Sequence, residues 1–326
     1  MGTGMNGHAA SEVSVTWRDV AGLWNFGGEE QIYLGSQQHK RGRQEYGIAL
    51  SSIPFREGTV RARVVLPAVM DNETADKQDD DGVSAGFAFG FESQDQPYYF
   101  AAIGAFDYGV SIGEYRRSST WKRLAFAGDL RNYPRGVPIE LTLHVSGQTA
   151  QVSVNGVSLI RRFVLPAPLA DDGFGLFTWG DGRVIFDDIT IEAKKPQMFV
   201  IMPFHEPFTS LWKDVIQPVG EEYFKVEQAG EMLGPGKIVD DLQRSIEESA
   251  VVLAEVSTHS PNVYYELGYA HALKKPAILL VRQDEINNLP FDIRHYRAVL
   301  YDDSIGGKSK VEDALRQHLT AVLGDN

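Results

Sequence analysis

The chain has 326 residues, 43% of them hydrophobic, and no cysteine, so it is long enough for two cores and excludes disulfides, thiolate metal sites and cysteine nucleophiles. Its 31 Lys and Arg stand against 44 Asp and Glu, a formal net charge of −13, spread over both halves without the basic stripe that direct nucleic-acid binding requires. No apolar run approaches the roughly 18 residues of a membrane span, and residues 1–12 have neither the basic nor the apolar region of a signal peptide, so they read as a disordered leader on a cytoplasmic protein without a membrane partner.

Residues 13–193 alternate in the period-2 manner of half-buried strands, at Val60-Arg-Ala-Arg-Val-Val-Leu66, Gly86-Phe-Ala-Phe-Gly-Phe91, Ile139-Glu-Leu-Thr-Leu-His-Val145, Ala150-Gln-Val-Ser-Val154 and Val184-Ile-Phe-Asp-Asp-Ile-Thr-Ile191. Asn155-Gly156 between two such runs is a type I′ hairpin signal, since both residues tolerate positive φ. An antiparallel β-sandwich follows. The order of these runs, with Gly173-Phe-Gly-Leu-Phe-Thr-Trp179 before the closing strand, resembles concanavalin A-like jelly rolls of the laminin-G type. That resemblance implies a sensing or assembly role with a glycan or protein ligand. Tyr98, Tyr99, Tyr108, Tyr115, Trp121 and Trp179 are candidates for sugar stacking, although core packing is the commoner role of such rings. The acidic stretch of residues 71–82 reads as a solvated loop in preference to a calcium site, because its spacing is not that of an EF-hand. Arg116-Arg117 and Arg161-Arg162 read as surface pairs.

Strand alternation stops at Glu192-Ala-Lys-Lys-Pro-Gln197, a short charged linker that predicts contact between the two parts. From residue 197 to 326 strands alternate with helices. Phe199 opens the first strand, Phe208 to Val219 carry helical spacing, and residues 223–226 form a second strand. Ile238, Leu242 and Ile246 mark a helix, residues 251–256 a third strand, 277–281 and 298–301 two more, and Val311, Leu315, Leu319 and Val322 a closing helix. Five strands alternating with helices predict a doubly wound parallel sheet of flavodoxin-like order 2-1-3-4-5. Its ligand crevice lies outside the carboxyl ends of the first and third strands, at Pro203, Phe204 and His205 on one side and Glu255 with the following turn on the other.

The helix after the third strand begins Ser260-Pro261, an N-cap and first-turn proline, and sets Asn262, Glu266 and Ala270 on one face. A carboxylate among Asn262, Tyr264, Tyr265 and Tyr269 suits a site for a planar base and a sugar better than a solvated face. The segments Phe199-Val-Ile-Met-Pro-Phe204, Pro261-Asn-Val-Tyr-Tyr-Glu-Leu-Gly-Tyr-Ala270 and Leu289-Pro-Phe-Asp292 together resemble the TIR-like and nucleoside 2-deoxyribosyltransferase-like group of bacterial proteins, over about two fifths of the chain. The resemblance implies that Glu266 is the catalytic carboxylate at the sugar anomeric carbon. It also implies substrate contacts from Pro203, Phe204, His205, Glu255, Asn262, Tyr265, Tyr269 and Asp292. The chain departs from many relatives in carrying Glu255 where they have an aspartate.

Gly234-Pro-Gly-Lys237 before a helix reads as a turn in preference to a phosphate cradle, and Asp240, Asp241 and Arg244 as surface charges. The resemblance implies an effector that cleaves the N-glycosidic bond of NAD or a related nucleotide, NAD being substrate and not cofactor, with no metal. It further implies a role in antiphage defence and activation by homo-oligomerisation. A nucleoside 2-deoxyribosyltransferase and a non-catalytic nucleotide- or glycan-binding module are the alternatives, separated by base release without acceptor, exchange with an acceptor base, and binding without turnover.

Overall fold

The computed structural model describes residues 15–35, 46–68, 83–116, 120–129, 134–180, 182–228, 238–294, 296, 298–302, 304 and 306–323. The leader through residue 12, the acidic stretch 71–82, Arg117 and the Gly234 to Lys237 turn lie outside the described residues. The antiparallel strands are, in chain order, β1 (Trp17–Ala21), β2 (Leu23–Gly27), β3 (Glu30–Gly35), β4 (Tyr46–Ser51), β5 (Gly58–Val65), β6 (Ser84–Phe89), β7 (Tyr98–Ile103), β8 (Tyr108–Arg116), β9 (Thr120–Asp129), β10 (Pro138–Ser146), β11 (Thr149–Val154), β12 (Val157–Val164), β13 (Phe174–Trp179) and β14 (Val184–Ala193). They pair as two seven-stranded sheets, β1-β4-β13-β6-β7-β8-β9 and β12-β11-β10-β5-β14-β3-β2, stacked as a jelly-roll sandwich.

Alternation decides which side chains meet between the sheets. In β5 Val60, Ala62 and Val64 point inward while Arg61 and Arg63 point out, and in β10 Ile139, Leu141, Leu143 and Val145 are buried. At the β11–β12 turn Asn155 and Gly156 have φ of 49° and 76°, so the turn matches the twist of its strands as the sequence predicts. The central strands of the first sheet, β6, β7 and β13, are buried on both faces. Ala85, Phe87 and Phe89 enter the core between the sheets, while Ala88, Phe100 and Phe177 lie under a second cluster with Tyr98, Tyr115, Trp121 and Trp179. Three of the sugar-stacking candidates are therefore core: Tyr98, Tyr99 and Tyr115 are 2%, 5% and 8% exposed. The exposed aromatic surface sits elsewhere, where Phe126 packs on Tyr108 at 4.1 Å and the Arg123 guanidinium lies 4.6 Å from both rings.

β15 (Gln197–Ile201), β16 (Lys225–Gln228), β17 (Val251–Glu255), β18 (Ala277–Arg282) and β19 (Ala298–Tyr301) form an all-parallel sheet in the order β16-β15-β17-β18-β19. This is the predicted 2-1-3-4-5 order. On one face lie α1 (Phe208–Leu211), which runs through a π turn (Trp212–Ile216) into α2 (Gln217–Tyr223), and α5 (Gly307–Leu323). Pro218 has no N–H for the helical ladder and its ring crowds the carbonyl one turn back, so the helix widens just before it. Tyr223 ends this helix and does not begin β16; its neighbour Phe224 turns into the core instead. On the other face lie α3 (Ile238–Glu248) and α4 (Pro261–Ala272), with Val263, Leu267 and Ala270 packed on Phe199, Ile201, Val252 and Leu279. Each large aliphatic side chain buried there contributes about 1.5–3 kcal/mol. No helix among the described residues is long and apolar enough to cross a membrane.

The two parts meet along a polar seam. The β10–β11 turn, Gly147-Gln148, lies on the end of α3: the Gln148 N–H donates to the Glu247 carbonyl at 2.9 Å, and its side-chain amide donates to the Leu273 carbonyl, just past α4, at 2.9 Å. The linker is fastened at every step. The Lys194 N–H donates to the Glu57 carbonyl, the Gln197 N–H to the Glu57 carboxylate, and the Pro196 carbonyl accepts from the Lys225 N–H.

Candidate active site

The loops that follow β15 and β17 leave the same edge of the sheet, because these strands are paired in register with Ile201 beside Ala254. One loop carries Pro203, Phe204 and His205; the other runs through Ser257 to Ser260 into α4. Phe204 is 55% exposed. The His205 Nδ1 lies 2.8 Å from the Glu206 carbonyl, which only accepts, so Nδ1 holds the proton and Nε2 is left for a ligand.

The second loop is braced from three sides. His259, in the left-handed region at φ 53°, places Nδ1 3.0 Å from the Tyr264 hydroxyl and Nε2 3.5 Å from Glu285. The Tyr264 hydroxyl also reaches the Val256 carbonyl at 3.3 Å. Ser260 occupies the N-cap in extended conformation with Pro261 behind it, yet its side chain makes no capping bond. The proline supplies the start that the serine hydroxyl does not, its fixed φ being already helical.

Glu266 stands in the second turn of α4, between exposed Tyr265 and buried Leu267. Burial pushes its carboxyl up to about 7, with no charged neighbour contributing. Among the described residues no donor is recorded on either oxygen. A desolvated carboxylate without a partner is costly to keep, and such groups concentrate where chemistry uses them. Asn262 and Tyr265, one turn earlier and adjacent, are exposed on the same side. Leu289 and Ile293 pack against the inner side of α4, and Tyr296 stacks on His271 at 4.4 Å, so the turn carrying exposed Asp292 flanks this helix.

Two expected substrate contacts are placed otherwise. Glu255 has no exposed surface. Its Oε1 accepts from the Ser257 N–H at 3.1 Å, from the Ser257 hydroxyl and from the Tyr301 hydroxyl at 3.0 Å, while Ser257 accepts in turn from the Arg282 N–H at 2.7 Å. Glu255 thus ties together the carboxyl ends of β17, β18 and β19 from inside through Oε1, its Oε2 being buried without a hydrogen-bond partner, and burial raises its carboxyl above the usual range. Tyr269 turns the other way along α4: its hydroxyl donates to Glu247, on the seam and away from the loops. Sequence reasoning also missed Arg162, assigned to the surface, which pairs with that same Glu247. A buried glutamate near a helix end is the only signal the sequence offered, and it names no partner.

A cavity of about 430 Å³ lies away from this edge. It opens at the seam by the amino ends of β17 and β18, between Arg56, Gly147, Ser249, Pro276 and His318, and no carboxylate lines it. A smaller one of about 280 Å³ lies past the end of β19 beside Tyr301, Asp302 and Lys308. Among the described residues no group of three or more His, Asp or Glu is placed to hold a metal ion.

No family model matches the chain, and no curated protein matches it. Among solved structures it is similar to a carbohydrate-binding module (CBM66) of Bacillus subtilis, at 15% identity over 53% of this chain and 93% of that one, with a TM-score of 0.40. It is also similar to a Bacillus subtilis protein of galectin-like fold, at 9% identity over 54% and 87%, TM-score 0.39. A third is the Clostridium botulinum CMP N-glycosidase, at 20% identity over 37% of this chain and 98% of that one, TM-score 0.31. At these scores the likenesses carry no argument about activity, and the fold rests on the strand pairings themselves.

Proposed function

We propose that the parallel-sheet domain cleaves the N-glycosidic bond of a nucleotide, with NAD the first candidate substrate and Glu266 the carboxylate at the anomeric carbon. The observation that carries this reading is a desolvated, unpartnered carboxylate beside the switch point of a doubly wound sheet. The Pro261 to Ala270 motif supports the finer assignment, a TIR-like or nucleoside 2-deoxyribosyltransferase-like domain.

Cleavage breaks the C1′–N bond and the bonding pair leaves with the base. For nicotinamide that pair neutralises the pyridinium nitrogen, so no proton is needed. The sugar becomes cationic at C1′, where ionised Glu266 either holds it as an ion pair or bonds to it; water then adds at C1′, the C1′–O bond to Glu266, where formed, breaking with its electron pair returned to the carboxylate, and the water loses its proton to solvent. Asn262 and Tyr265 are assigned to the sugar and base, and a leaving base that needs a proton takes it from water, since the free Nε2 of His205 is an acceptor in the tautomer its Glu206 contact sets. A cationic substrate lowers the carboxyl of Glu266 on binding, which ionises the group at the moment it is used.

The test is release of free base from NAD, CMP and deoxynucleosides by wild type and Glu266→Gln, with and without an acceptor base. Release without acceptor, lost by a factor of at least about 10³ in the variant, supports hydrolysis; release that needs an acceptor indicates transfer. Binding without release in every case leaves only a binding module. The antiphage setting and activation by self-association rest on the family resemblance, and specific activity that is constant with protein concentration would remove the second.

A further inference from the structure

The seam between the sandwich and the parallel sheet holds more buried polar groups than a tether needs, and they converge on the two helices next to Glu266. Glu247, 8% exposed at the end of α3, uses both carboxylate oxygens: Oε2 takes the Arg162 guanidinium from β12 and Oε1 takes the Tyr269 hydroxyl from α4. Its carbonyl accepts the Gln148 N–H at 2.9 Å and the Lys275 ammonium at 2.7 Å. Gln148, 1% exposed, spans from the sandwich to α4, giving its amide to the Leu165 carbonyl at 2.8 Å and the Leu273 carbonyl at 2.9 Å. Gly147 makes the close approach feasible. At φ 53° it sits where L side chains are strained, and a Cβ there would lie 2.2 Å from the Glu248 carbonyl oxygen.

Tyr269 is three residues from Glu266, on neighbouring positions of one helical side. A rotation of α4 about its axis therefore moves both. Val263, Leu267 and Ala270 press α4 onto the sheet, but apolar packing is non-directional. The bonds from Tyr269 and Leu273 are directional and end on the sandwich or on a residue the sandwich holds.

We propose that the sandwich is a positioning element of the Glu266 site, with Arg162 acting through Glu247 and Tyr269, and Gln148 acting through the Leu273 carbonyl, to fix the rotation of α4 and with it the direction and desolvation of Glu266. The inference rests on the proposed function for its consequence, but not for its geometry. The polar atoms of Arg162, Tyr269 and Gln148 are taken up by the seam itself. Arg162 also neutralises Glu247, so Arg162→Ala removes a charge partner as well as the link; burial lowers Lys275 nearby to about 7, and its ammonium bonds the Glu247 and Ser249 carbonyls, not the carboxylate. Tyr269→Phe cuts the same link and leaves every charge in place.

The experiment titrates Glu266 directly, by carbon-detected NMR on the full chain labelled at glutamate side-chain carboxyls, the signal being assigned by its loss in Glu266→Gln. In Arg162→Ala and Tyr269→Phe the midpoint is expected to move from about 7 towards the ordinary 4.5, because a slack helix admits water to the carboxylate. Base release at pH 7 falls by about tenfold to a hundredfold, in kcat more than in KM, because the carboxylate, although more fully ionised, is no longer held in line with C1′. A Glu266 midpoint unchanged in Tyr269→Phe overturns the proposal, and that variant decides the matter if Arg162→Ala fails to fold. Absence of base release by wild type defeats the proposed function alone, while the titration still decides the positioning role.

Discussion

Glu266 carries an energetic cost that can be read from pH. Its folded carboxyl titrates at about 7 against an ordinary 4.5, so the folded state favours its protonated form. The contribution to stability is fully present below 4.5 and is lost as pH rises through 7. Allowing for its partial exposure, the loss amounts to about 1–2 kcal/mol at pH 8. Glu266→Gln, which cannot ionise, is expected to be more stable than wild type by that amount at pH 8 and about equal to it at pH 4, as measured by urea unfolding at the two pH values. The group proposed for the chemistry would then be one that weakens the fold. Glu255 differs in kind: it is raised by burial too, but Ser257 and Tyr301 give it three hydrogen bonds, so its removal leaves buried donors unpaired. Sequence placed both glutamates at the correct edge of the sheet. It gave no means to separate the braced one from the bare one, because Tyr301 arrives from 46 residues away.

At the scale of the element, α4 was the most legible part of the chain. Its start at Ser260-Pro261 and its position after a fully buried strand follow from spacing, but Ala270, which the i, i+4 pattern set on the face of Asn262 and Glu266, is buried with Val263 and Leu267. What spacing did not show was the division of its other side. Asn262 and Tyr265 are exposed and Glu266 half-buried, whereas Tyr269, one turn on, is bonded into the seam through Glu247. An i, i+3 relation puts two residues on one side of a helix but says nothing of what each end of that side meets. Gly268 sharpens the point, since a Cβ built there meets no atom within 4 Å and packing does not require glycine. Gly268→Ala is expected to raise stability by about 0.5–1 kcal/mol through helix propensity, read from the thermal midpoint. Loss of base release in so benign a variant would place a ligand against that bare stretch of helix. The aromatic runs of the sandwich were legible as strands, but the duty of each ring was not, because the central strands of the first sheet are covered on both faces and alternation alone implies one.

At the scale of the molecule, the linker and the seam make one argument. Strand β14 ends at Ala193 and β15 begins at Gln197, and the residues between are bonded to Glu57 on one side and to Lys225 and Glu221 on the other. The sandwich grips the amino edge of the parallel sheet, through Gln148, Arg162 and Gly147, and leaves the carboxyl edge with Glu266 uncovered. The short linker implied contact in the sequence; which residues make it depended on two folded surfaces meeting. Separate domains on a loose tether melt independently, each with its own enthalpy. Here the melting of either part strips the other of buried partners: Glu247 loses Arg162, and Gln148 loses the Glu247 and Leu273 carbonyls. Differential scanning calorimetry of the full chain is therefore expected to show a single peak whose calorimetric and van't Hoff enthalpies agree. Gly147→Val, which forces a side chain into the Glu248 carbonyl, is expected to split it into two. Cooperativity across the whole chain would then depend on one residue that lacks a side chain.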